Sequence, residues 1–129
     1  MTFELGKNSV INLAGVNDDA FDVIELALKL TSVDFGIPST GGYRTKEDQN
    51  ILFKKGLSMC DGVIKKSYHQ SGNAFDVFAY VDGKASYEKH HLTVIACAIL
   101  QAANQLGVEI LWGGHFKTFL DMPHFEIRN

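Results

Sequence analysis

Cysteine is scarce. Cys60 and Cys97 are the only two in the chain, too few for the disulfide framework that staples small secreted domains. Neither sits in a local signature of a thiol nucleophile. Cys97, in VIACAIL, reads as a small buried apolar residue, and Cys60, in SMCDG, as an ordinary loop residue unless a histidine folds next to it. Long apolar runs are lacking as well: the longest, LTVIACAIL, falls far short of the roughly 20 residues that span a bilayer, so an integral membrane protein is not expected. The opening MTFELGKNSVINLAG mixes charge into its apolar positions and has no basic leader before an apolar core, so no signal peptide is expected. Positive charge is not in excess. Twelve basic against 15 acidic residues give a formal charge of -3, which argues against nucleic acid as a partner, since phosphate binding needs a concentrated positive surface. The nearest approach to one, Lys54 and Lys55 with Lys65 and Lys66, reads as solvated turns and helix ends. Repeats, linkers and low-complexity tracts are also missing.

What is present suffices for one core. With 46% of 129 residues apolar, residues 1–129 are expected to form a single domain. A first helix is predicted from Asp18 to about Val33, capped by Asn17, with Phe21, Ile24, Ala27 and Leu28 on one face and Gly36 and Pro38 ending it. A second begins at the cap Thr45, with Asp48 three places on and Gly56 as the stop, and presents Ile51 and Leu52. The third, Tyr87 to Leu106, carries Leu92, Ile95, Ala96, Ile99, Leu100 and Ala103 at helical spacing and stops at Gly107, so it is expected at the centre of the core. Ala74 to Val81 reads as a strand, VDGK as an Asp-Gly turn leading to a short partner around Ala85, and Val108–Leu111 and 124–128 as two further strands. The sum is an α+β class, with helices packed on one face of a small antiparallel sheet.

The chemistry concentrates in two short segments. In SYHQSGNAFD, strand alternation puts Asp76 on a half-apolar face with Ala74, Phe78 and Tyr80, and a carboxylate there costs free energy unless something pairs with it. His69 lies seven residues upstream, and Gly72 and Asn73 allow the tight backbone that returns it to the same end. In DMPHFE, His124 and Glu126 project to one side of a strand, and Asp121 belongs to the loop entering it. Two histidines and a carboxylate make a tripod for a tetrahedral Zn²⁺ with an open fourth position, and a further carboxylate can take a proton from water there. Spacing alone leaves a plainer reading open, in which the histidines are loop residues and Asp76 caps a turn, because this His-to-Asp spacing is not a self-sufficient motif. His90 and His91 are adjacent in a helix and are not expected to face one site; one exposed and one interfacial residue is the expectation. Arg44, in GGYRT, reads as structural or as a grip for a carboxylate or oxyanion. Trp112 reads as core or pocket wall.

Ser67-Tyr-His-Gln-Ser-Gly-Asn-Ala-Phe-Asp76 resembles the Ser-x-His-x-x-Gly-x-Ala-x-Asp motif of the VanY-like family of zinc peptidases, which includes D-alanyl-D-alanine carboxypeptidases and L-alanyl-D-glutamate endopeptidases. Asp121-Met-Pro-His-Phe-Glu126 resembles its second motif, GGYRTKEDQNILFKKG its arginine-bearing segment, and ILWGGHFKTFLD the approach to the second histidine. The resemblance runs from about Ile37 to Ile127, leaving the first helix outside, and is strongest to short phage endolysins. It implies the D-Ala-D-Ala carboxypeptidase or Hedgehog-like zinc peptidase fold. It further implies one Zn²⁺ on His69, Asp76 and His124, Asp121 as general base and then proton donor, and Arg44 against the oxyanion. Ser67, Gln49, Trp112, His115 and Glu126 would line or support the site. The partner implied is bacterial peptidoglycan, cut by a monomeric enzyme between L-Ala and D-Glu, made in a host cytoplasm and reaching the wall once the membrane is breached. A D-Ala-D-Ala carboxypeptidase and a non-catalytic module binding wall peptide are the alternatives. One departure stands out: close relatives usually carry Trp-Gly-Gly-Asp-Trp where this chain has Trp112-Gly-Gly-His115-Phe116, which bears on the cleft more than on the metal tripod.

Overall fold

The apolar stripe of the longest helix meets a matching stripe on another. In the computed structural model, which describes residues 2–128, helix α2 (Asp18–Leu30) buries Ala20, Val23, Ile24, Ala27 and Leu28 against helix α4 (Lys89–Leu106), which buries Leu92, Ile95, Ala96, Ile99, Ala102 and Ala103. Ile24, Leu28, Ile95 and Ile99 are among the fully buried side chains, each contributing about 1.5–3 kcal/mol of transfer free energy. Asn17 caps α2 by accepting from Asp19 N–H, and Gly107, left-handed at φ 70°, ends α4 as expected. Cys97 departs from expectation: it is exposed, because it falls on the side of α4 opposite the stripe that packs on α2. Helix α2 stops at Thr31, whose extended backbone turns the chain into strand β1 (Asp34–Gly36). Neither β1 nor the short helix α1 (Lys7–Asn12) was legible in the sequence pattern.

Helix α3 (Lys46–Lys54) is capped by Thr45 as expected, but not held by the expected face. Ile51 is exposed, and the one buried residue of the helix is polar, Gln49. α3 is thus fastened by hydrogen bonds rather than by apolar burial.

The strands form two three-stranded antiparallel sheets rather than one. The expected single strand over 74–81 is split at Val77 into β2 (Ala74–Asp76) and β3 (Phe78–Val81). In the first sheet β3 lies between β1 and β4 (Lys84–Ser86), and Asp82 and Gly83, both at positive φ, make the two-residue turn from β3 to β4. In the second, β6 (His124–Ile127) lies between β2 and β5 (Ile110–Trp112). At the split, Asp76 N–H goes to Gly41 O and Val77 N–H to Pro123 O, so the chain changes sheets with its donors satisfied. Burial still alternates across the break, with Phe75, Val77 and Ala79 all buried. Helix α4 contacts β3 of one sheet and β5 of the other, and Phe75 stacks on Phe125 at 5.2 Å beneath the second. This second sheet positions the chemistry: Asp76 and His124 are direct cross-strand partners, and directly opposed side chains leave a sheet on the same face.

Candidate active site

Each histidine is fixed by the hydrogen bond made on the far side of its ring. Ser67 Oγ caps a 3-10 turn (Tyr68–Ser71) by accepting from His69 N–H, and Gln70 reaches back to Ser67 N–H. Gly72 then closes the turn at φ 76°, where a side chain would crowd Gly15 O. His69, 1% exposed, directs Nδ1 to Gly42 O at 2.8 Å. A carbonyl only accepts, so Nδ1 carries the proton and Nε2 holds a lone pair. His124 directs Nε2 to Glu126 Oε1 at 2.9 Å, so Nε2–H donates there and Nδ1 is left as the free nitrogen.

Those two nitrogens and Asp76 Oδ1 converge. His69 Nε2 lies 3.2 Å from His124 Nδ1 and 3.4 Å from Asp76 Oδ1, and His124 Nδ1 lies 3.1 Å from the same oxygen. Three acceptors facing one another repel unless a proton or a cation stands among them. A tetrahedral ion with bonds of about 2.0–2.1 Å holds its ligands about 3.3 Å apart, so the spacing and the donor set fit a metal. In the metal-free protein a proton takes that place. Burial lowers the pKa of His124, but its hydrogen bonds to Asp76 and Glu126 outweigh this and raise it to about 9. Burial likewise raises Asp76, yet the bonds from His124 and His69 prevail and hold its carboxyl well below the usual range.

The other oxygen of Asp76 is taken by Arg44, whose Nη2 donates to Oδ2 at 3.2 Å. Arg44 Nε donates to Thr40 O and Nη1 to Gln49 Oε1, which leaves two of its five N–H donors free for a substrate oxygen. Gln49, fully buried, also donates to Ser58 Oγ and Cys60 O, tying Arg44 to the next loop. Asp121 lies in the same cleft. Burial first, then the charge of Asp76, raises its pKa, against the histidines and Arg44. Its backbone is clamped, with N–H to Gly113 O and its own carbonyl accepting from His124 N–H. The cleft has a volume of about 530 Å³ and runs between segment 56–69 and segment 116–121, a size suited to a small ligand or a few residues of peptide.

The family model of phage L-alanyl-D-glutamate peptidases matches residues 1–127. The chain belongs to that peptidase family. The match includes the first helix, which the sequence motifs had left outside. The L-alanyl-D-glutamate peptidase of Escherichia phage T5 is 31% identical over 129 residues, covering 99% of this chain and 91% of its own. The peptidoglycan L-alanyl-D-glutamate endopeptidase CwlK of Bacillus subtilis is 31% identical over 120 residues, covering 78% of this chain and 67% of its own. The crystal structure of the Serratia marcescens L-Ala D-Glu endopeptidase ChiX superposes with a TM-score of 0.84 at 34% identity, covering 97% of this chain and 90% of that one. The α+β zinc peptidase fold expected from the motifs is therefore the fold of the chain.

Within this cleft the remaining expected residues separate. Ser67 and Glu126 line the cleft. Trp112 is core: it stacks along Phe125, and its Nε1–H donates to Met122 O, holding the turn that carries Asp121. His115 is exposed, packs edge-on against Trp112 and does not reach the cleft; Phe116 lines it, 5.9 Å from the ring of His124. Cys60 also lines the cleft, more than the ordinary loop residue expected. Sequence reasoning had no signal for the carbonyl of Gly42 or for Phe119 and Leu120 on the cleft wall.

His90 and His91 do come together, contrary to expectation, with ring centroids 4.0 Å apart and both near Glu88 Oε2. They are one exposed and one half-buried residue, as expected. This group is open to water at the positive end of the α4 dipole, which disfavours a cation; the buried tripod has neither handicap.

Proposed function

We propose that the protein is a zinc peptidase that hydrolyses the L-Ala to D-Glu amide bond in the stem peptide of bacterial peptidoglycan. One observation carries this reading: an acceptor-only tripod of His69, Asp76 and His124, with the separate carboxylate of Asp121 in the same cleft. The names of its relatives supply the bond. The metal would be held by His69 Nε2, His124 Nδ1 and Asp76 Oδ1, and supplies Lewis acidity that polarises the scissile carbonyl and acidifies water. Asp121 takes the proton from the attacking water, and its raised pKa suits it to give that proton to the departing amine. Arg44 offers its free N–H donors to the oxygen on which negative charge grows. Arg44 and Gly42 O, bonded to Asp76 and His69, keep the tripod in register while this happens.

No helix among the described residues is long and apolar enough to cross a membrane. The reading places a monomeric, single-domain enzyme in the cytoplasm of a phage-infected host, reaching the wall after membrane release. The test is to incubate metal-loaded protein with purified peptidoglycan and defined muropeptides and identify fragments by mass spectrometry. New amino-terminal D-Glu is expected. Release of terminal D-Ala instead would make it a carboxypeptidase, and binding without cleavage would make it a wall-peptide module.

A further inference from the structure

The cleft floor is acidic, and the substrate is acidic too. Asp76, Asp121 and Glu126 all line it. A glutamyl residue joined onward through one of its two carboxyls keeps the other free, so the peptide following the scissile bond brings a carboxylate towards that floor. Asp76 and Glu126 are already met by Arg44 and Arg128, so that carboxylate calls for a cation not yet engaged. Among the described residues, the lysine and arginine side chains that line the cleft are Arg44, Lys65, Lys66 and Arg128. Arg44 is engaged by Thr40 O, Gln49 and Asp76, and its two remaining donors are the ones given to the oxygen of the scissile carbonyl. Arg128 is engaged by Glu126 and lies over the ring of Tyr68. Neither Lys65 nor Lys66 pairs with a carboxylate among the described residues.

Lys65 sits on a braced loop. Asp61 Oδ1 accepts from the N–H groups of Val63, Ile64 and Lys65 at 2.9–3.0 Å, and Gly62 N–H returns to Lys65 O. Gly62 O in turn accepts from Gln70 Nε2, one residue past His69, and Asp61 O accepts from Asn50 of α3. The lysine's backbone is therefore fixed relative to the tripod. Its charge also reaches inward: burial raises the Cys60 thiol's pKa, and Lys65 is the foremost influence lowering it.

We propose that Lys65 is a specificity-determining residue that binds the free carboxylate of the D-glutamyl residue on the leaving side of the scissile bond. The proposal rests on the reading of function above. Its test compares kcat/KM of metal-loaded protein on a stem peptide with that carboxylate free and on the same peptide with it amidated. The unsubstituted protein should prefer the free form by about tenfold, as a charge-assisted contact implies. Lys65→Met should lose that factor on the free peptide and keep its rate on the amidated one, while Lys65→Arg retains the preference. Raising salt should erode the preference of the unsubstituted protein, while the ratio of rates in Lys65→Met, near one at low salt, should stay there. Equal losses on both peptides, or none on either, would overturn the assignment with the function intact. If the unsubstituted protein cut neither peptide, the reading of function would fall and the assignment with it.

Discussion

Glu126→Gln tests how far the proposed metal centre depends on the hydrogen bond behind His124. Glu126 Oε1 accepts from His124 Nε2–H at 2.9 Å, while Oε2 accepts from Nε–H and Nη2–H of Arg128. Glutamine keeps the shape and can still accept from His124 through its carbonyl, but its amide N–H groups then face Arg128, donor against donor. A hydrogen bond with one charged partner contributes about 1.5–3 kcal/mol and a neutral one about 1 kcal/mol. The imidazole thus loses on the order of 1–2 kcal/mol of support, equivalent to about 5–30-fold in metal affinity. A second effect runs the other way. Glu126, with Asp76 and the charge of Asp121, raises His124 to about 9 in the metal-free protein, and weakening it eases displacement of the proton by the metal. The expected deficit at pH 7 is therefore about tenfold, the lower end of what outer partners of metal ligands deliver. Competition with a chromophoric zinc chelator measures it, with thermal unfolding of the metal-free variant as the control on folding. An affinity within twofold of the unsubstituted protein, in a variant that folds normally, would refute the role given to Glu126.

Asp121→Asn should lower kcat on stem peptide by about 10²–10⁴-fold, the usual range for a general acid or base, while zinc stoichiometry by elemental analysis stays unchanged. Gly113→Ala should cost both stability and activity, because a Cβ at Gly113 would overlap the carbonyl of Asp121; paired melting curves and rates check it, and wild-type values for both would be contrary to expectation. In the metal-free protein His124 has its pKa raised from 6.5 to about 9, so its contribution to stability is full below pH 6.5 and lost as pH rises through 9. The melting temperature of the chelator-treated protein should fall across that window, whereas with metal in place of the proton the fall should vanish; scanning fluorimetry across pH reads both.

Helix α4 was legible because its stripe repeats at helical spacing and Gly107 marks its end, and the turn at Asp82 and Gly83 because few residue pairs accept two positive φ values. The break at Val77 was not legible. Alternation in burial continues through it, so periodicity reports one strand where hydrogen bonds to Gly41 and Pro123 divide two. Helix α3 misled in the opposite way: Ile51 and Leu52 suggested an apolar face, but the helix is held through Gln49, whose partners Arg44, Ser58 and Cys60 come from outside it. Cys97 was misplaced because an apolar run says nothing about which side of a helix its partner covers.

The sequence by itself determined the inventory of the site. His69, Asp76, Asp121 and His124 stand in two motifs whose residue types restrict the chemistry, and Ser67, Gly72 and Asn73 encode the local turn that carries the first of them. Only the tertiary structure decided which atoms meet. The pairing of Asp76 with His124 across β2 and β6, the carbonyl of Gly42 that fixes the tautomer of His69, and the ties of the Lys65 loop to Gln70 and to Asn50 of α3 all join residues whose contacts no local pattern records. Strand register and backbone carbonyls lie outside side-chain periodicity, and on them depends whether three acceptors converge closely enough to share a proton or a cation.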